Sequence, residues 1–106
     1  MSDSTILQRL SETIAARKHA DPADSYVAGL FGKGHEAILK KVAEESAETL
    51  LAAKDGDKLH LVRETADLWF HCLVLLAWHG AAVDDVLAEL QRREGVSGLK
   101  EKAARG

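Results

Sequence analysis

From Ala66 to Trp78 the chain runs Ala-Asp-Leu-Trp-Phe-His-Cys-Leu-Val-Leu-Leu-Ala-Trp, and a helix over this stretch is apolar almost all round. Such a helix has no face to give to water and must be surrounded by other elements. It is expected to begin near Asp57 and to stop at Gly80, a residue suited to the left-handed turn after a helix end. Asp67, His71 and His79 interrupt the apolar run, which falls short of the roughly 20 residues that span a bilayer. A chain of 106 residues fits one domain, 1–106, with limited surface of its own for enclosing this helix. Sharing it with a second copy, as a homodimer, is the expected solution.

The remaining elements also read as helices. Asp3 or Ser4 can cap a first one in which Ile6, Leu7, Leu10 and Ile14 recur at helical spacing, ending before Asp21-Pro22. Ser25 caps a short turn from Tyr26 to Leu30, which Gly32-Lys33-Gly34 then interrupts. A second long helix runs from about His35 to Lys54, with Ile38, Leu39, Val42, Thr49, Leu50 and Ala53 on a shared face, until Asp55-Gly56-Asp57 breaks it. Asp84 and Asp85 near the start and Arg92 and Arg93 near the end suit the dipole of a helix from about Val83 to Glu94. A tail helix can follow Ser97. No window alternates with a period of two, so the fold class is all-α, a bundle of about four main helices completed by dimerisation.

Composition removes several function classes. With 14 basic and 17 acidic residues the net charge is −3, which supplies no general attraction to nucleic acid or to an anionic membrane. The single cysteine, Cys72, rules out a disulfide framework and a cysteine-rich zinc site. Residues 1–20 lack the basic, apolar, small-residue order of a signal peptide, and cytoplasmic residence is the expectation.

Chemistry concentrates in two acidic pairs. Glu45 and Glu48 are three apart on the second long helix, and Glu64 and Asp67 are three apart on the third, so each pair projects from one face. Like charges at this spacing repel unless something neutralises them, and a hard cation such as Mg2+, held through carboxylate oxygens, does so. Glu64, Asp67 and His71 form the main polar strip of a helix otherwise suited to burial, where charge is costly without a partner. Glu44 reads equally well as part of a solvated face with Lys40 and Lys41.

Glu44-Glu45-Ser46-Ala47-Glu48, a gap of 15 residues, then Glu64-Thr65-Ala66-Asp67 resembles the signature of the all-helical MazG-like nucleotide pyrophosphohydrolases. From Ser25 to Arg93 the chain is most similar to the phosphoribosyl-ATP pyrophosphatases of histidine biosynthesis. Ser25-Tyr26, Leu30-Phe31, Lys33-Gly34, Ile38 to Val42, Ala52-Ala53-Lys54 and Leu73 to Leu76 carry that similarity. The resemblance implies hydrolysis of 1-(5-phosphoribosyl)-ATP between its α and β phosphates, giving phosphoribosyl-AMP and pyrophosphate. It implies Mg2+ on Glu45, Glu48, Glu64 and Asp67, with Glu44 as a supporting group or base. Ala43 stands where a glycine is common in the family.

Phosphates also call for cations, and Lys33, Lys40 and Lys41 lie on or just before the helix that carries the first acidic pair. Lys41, one turn before Glu45, is the best placed, with a plain salt bridge to that glutamate as the simpler role. Gly32-Lys33-Gly34 is too short for a P-loop. His71 is read as a satisfied core histidine, Trp69, Phe70 and Trp78 as core or dimer contacts, and Cys72 as buried filler. Two rival functions share these features: a house-cleaning pyrophosphatase of (deoxy)nucleoside triphosphates, and a non-catalytic helical dimerisation module. A di-iron bundle needs two Glu-x-x-His motifs, which neither Glu48 nor Glu64 begins.

Overall fold

A computed structural model describes residues 4–105, and helices are the only regular elements among them. They are α1 (Ser4–Arg17), α2 (Tyr26–Lys33), α3 (His35–Asp55), α4 (Lys58–Trp78), α5 (Val83–Arg93) and α6 (Gly98–Arg105). The all-α expectation is met, with α2 and α6 as short additions to the four main helices. Asp3, one of the two candidate caps for α1, lies outside the described residues.

The α3–α4 hairpin is the frame of the molecule. Each of its arms has 21 residues, about 31 Å of helix. Gly56 ends α3 in the left-handed conformation, φ 77° and ψ 9°, which a residue with a Cβ adopts reluctantly. Asp57 then starts α4, its carboxylate accepting from the backbone N–H groups of Leu59 and His60 at 3.1 and 3.3 Å. Two residues, Gly56 and Asp57, thus reverse the chain.

The core gathers Ile14 of α1, Val27 and Leu30 of α2, Ile38 of α3, Leu73, Val74 and Ala77 of α4, and Val83 of α5. Ile14, Ile38 and Val74 have essentially no exposed surface. Each fully buried side chain of this size stabilises the fold by about 1.5–3 kcal/mol. α2 is seated by Ser25, whose Oγ accepts from the Ala28 N–H at 3.1 Å. α5 is seated by Ser11, whose Oγ accepts from the Val83 N–H at 3.2 Å across 72 residues of chain.

Three expectations need adjusting. α2 continues through Gly32 to Lys33, because a helical glycine costs only about 1 kcal/mol; the break is at Gly34 alone, with φ 103°. The buried column of α3 is Ile38, Glu45 and Ala52, so Leu50 and Ala53 face outward and Leu39 is 38% exposed. Cys72 is half-buried rather than enclosed, and burial raises its thiol pKa. Within one chain α4 is only partly surrounded: Trp69 is 55% exposed.

Candidate metal centre and substrate site

Antiparallel pairing in the hairpin brings the first acidic pair level with the second. Thr49 fixes that register. Its Oγ1 lies 2.7 Å from the Glu45 backbone oxygen, one turn back on α3, and 3.2 Å from the Glu64 backbone oxygen on α4. One hydroxyl proton is shared between two carbonyls, each belonging to a residue of the acidic set.

Carboxylate oxygens of Glu45, Glu48 and Glu64 lie within 4.8 Å of one another. The Glu45 and Glu64 side chains are only 8% and 15% exposed, and Oε2 of each is buried without a hydrogen-bond partner. A desolvated carboxylate oxygen with nothing donating to it is costly. Two such carboxylates converging with a third fit the oxygen donor set of a hard divalent cation. Glu64 also governs Glu48: a proton shared between the two carboxyls, and then the repulsion between their charges, raise the Glu48 pKa, with Glu45 and Lys41 opposing.

Lys41 meets this group from α3. Its Nζ lies 3.3 Å from Glu45 Oε1 and 3.5 Å from Glu44 Oε2. Burial works against the ammonium, but the hydrogen bond and charge of Glu45 outweigh it, and the Lys41 pKa is raised. The salt bridge weighed for Lys41 is therefore present. Glu44 is exposed beside it, while Lys33 and Lys40 are exposed and the contacts to Glu44 and Glu45 come from Lys41. Asp67, one turn beyond Glu64, is exposed and lies outside the tight group of three.

Contacts that residue spacing did not reveal complete the site. His71, 6% exposed, has Nδ1 2.7 Å from the Asp67 backbone oxygen and Nε2 2.8 Å from the Tyr26 hydroxyl. The core role expected for His71 holds, with both ring nitrogens satisfied. Burial raises the Tyr26 pKa, Lys41 opposes the rise, and Glu45, Glu44 and Asp67 add to it. Tyr26 lies in one of the stretches that carry the family similarity, but 45 residues separate it from His71. Thr49 left a faint trace, a β-branched hydroxyl residue in mid-helix.

An all-helical hairpin that clusters glutamates around two unpartnered buried oxygens, with a lysine alongside, is consistent with the MazG-like nucleotide pyrophosphohydrolases that the acidic signature resembles. Residues 7–94 match the family model described as phosphoribosyl-ATP pyrophosphohydrolase. The phosphoribosyl-ATP pyrophosphatase of Nitrosospira multiformis is 70% identical over 99% of this chain and 87% of its own length. Those of Chromobacterium violaceum and Azoarcus sp. are 64% and 60% identical, over 94% and 99% of this chain and 93% and 98% of their own. The chain belongs to the phosphoribosyl-ATP pyrophosphohydrolase family.

Proposed function

We propose that residues 1–106 act as one domain that hydrolyses 1-(5-phosphoribosyl)-ATP to 1-(5-phosphoribosyl)-AMP and pyrophosphate, the second step of histidine biosynthesis. Family membership supports the substrate. The observation that carries the site is the pair of buried, unpartnered oxygens on Glu45 and Glu64. Glu45, Glu48, Glu64 and Asp67 would hold Mg2+, whose chemistry here is to neutralise phosphate charge and to make a water a better nucleophile. Lys41 offers its ammonium to the phosphates, giving up part of its bond to Glu44, with Lys33 and Lys40 approaching from the exposed side. Glu44, the exposed carboxylate next to this centre, takes the proton of the attacking water.

Catalysis of this kind is mostly positioning and electrostatics, which suits a site built on two rigid helix arms held in register by Thr49. The working form is a homodimer in the cytoplasm. Leu50, Leu51, Leu59 and Val62, each more than half exposed, crowd the turn end of the hairpin. An apolar groove lined by Leu7, Trp69, Leu76, Val86 and Leu90 opens elsewhere. Surfaces of this kind are covered in solution. No single described helix is long and apolar enough to cross a membrane.

The test is magnesium-dependent pyrophosphate release, comparing phosphoribosyl-ATP with ATP and deoxynucleoside triphosphates. Faster turnover of ordinary nucleotides would give the house-cleaning function instead. Full activity in Glu64→Gln would remove the assigned centre.

A further inference from the structure

Tyr26 has a defined hydrogen-bonding polarity, and polarity selects ligands. Its ring stacks on Phe70, centroids 6.3 Å apart, and stands edge-on to His71 at 5.7 Å. The residue is nevertheless 54% exposed. His71 Nδ1 faces the Asp67 carbonyl at 2.7 Å, and a carbonyl only accepts, so Nδ1 carries the ring hydrogen. In a neutral imidazole Nε2 is then the acceptor, and the group 2.8 Å from it is the Tyr26 hydroxyl. The phenol donates its single proton to His71. What Tyr26 can still offer is a lone pair.

A triphosphate chain presents acceptors and cannot use such a lone pair; a sugar hydroxyl can. The Tyr26 hydroxyl is tied through His71 to the backbone of Asp67, one turn beyond Glu64, which sets it at the edge of the acidic group where a phosphate chain would sit. We propose that the Tyr26 oxygen accepts a hydrogen bond from a sugar hydroxyl of the bound nucleotide, and that His71 is the positioning residue that holds Tyr26 in this accepting role. The assignment rests on the nucleotide pyrophosphohydrolase function above. It makes Tyr26 a specificity-determining residue, because a group built to bond a hydroxyl disfavours the analogue that lacks it.

The experiment uses the full chain with Mg2+ and measures kcat/KM for phosphoribosyl-ATP and for analogues lacking one sugar hydroxyl in turn. One analogue should lose about 5-fold with the wild type, the worth of an ordinary neutral hydrogen bond. Tyr26→Phe should lose a similar factor on the complete substrate, mainly through KM, and nothing further on that analogue. His71→Leu keeps the tyrosine hydroxyl but frees its proton to turn toward the phosphates, and should weaken the preference for the complete substrate without abolishing it as Tyr26→Phe does. Equal losses by Tyr26→Phe on every analogue, or a wild type indifferent to each missing hydroxyl, would overturn the proposal. The wild-type comparison decides even if a variant folds poorly. Failure of the wild type to release pyrophosphate from phosphoribosyl-ATP would instead overturn the underlying function.

Discussion

Replacing Glu64 by glutamine should have opposite effects on stability with and without magnesium. In the metal-free protein, oxygens of Glu45 and Glu64 lie within 4.8 Å and both side chains are largely buried. Two unit charges at that distance repel by about 3.5 kcal/mol at an effective dielectric near 20 and by about 1 kcal/mol in water. Lys41 offsets part of this at Glu45. The glutamine amide removes one charge and can donate to a neighbouring carboxylate. Glu64→Gln should therefore stabilise the metal-free protein by about 1–2 kcal/mol, raising Tm by roughly 5–15 °C for a domain of this size. Magnesium reverses the order. At a hundred times its dissociation constant it should stabilise the wild type by about 2.7 kcal/mol, and the variant, lacking one ligand, by much less. Differential scanning calorimetry in EDTA and across a magnesium titration measures both arms. A variant no more stable than wild type in EDTA, or an equal shift of both proteins by magnesium, would refute the assignment of Glu64 to a cation site.

Glu48 supplies a pH signature. Its folded pKa lies above the ordinary glutamate value of 4.5, so the folded state holds the proton more tightly; that stabilisation is present below about pH 4.5 and is lost as pH rises through the folded value. Metal-free protein should lose stability over this window, and Glu48→Gln should flatten the change in melts recorded from pH 4 to 7. Thr49→Val removes the shared hydroxyl while keeping the shape, and should cost about 1 kcal/mol, seen as a drop of roughly 4–8 °C in Tm, with a larger proportional loss of activity because the acidic pairs lose their register. Leu51→Glu places a charge on the exposed apolar end of the hairpin and should shift sedimentation velocity from dimer to monomer; an unchanged dimer would move the interface elsewhere.

Much of this was legible because local chemistry and tertiary structure agree. Asp55-Gly56-Asp57 reads as a break, and it is one, with glycine and aspartate each in the role its backbone or side chain suits. Val83 to Arg93 was bounded by its own charges. The buried face of α3 differs from its apolar periodicity because the buried column 38, 45, 52 passes through a glutamate, and the periodicity steps around that buried acid toward Leu39, Leu50 and Ala53. That departure coincides with the functional site. The bonds of Tyr26 to His71 and of Thr49 to Glu64 join separate helices, and no local pattern encodes them.

The turn at Gly56 lies eight residues from Glu64, about 12 Å along the helix, and touches none of the reacting groups. It nevertheless acts as a ruler. Adding or removing one residue there would rotate α4 by about 100° relative to α3, carrying Glu64 away from Glu45 and leaving Thr49 without its second carbonyl. Loop length is usually the freest variable in a helical protein, but here it is locked to the chemistry. Sequences that share this site can change the composition of the turn far more readily than its length.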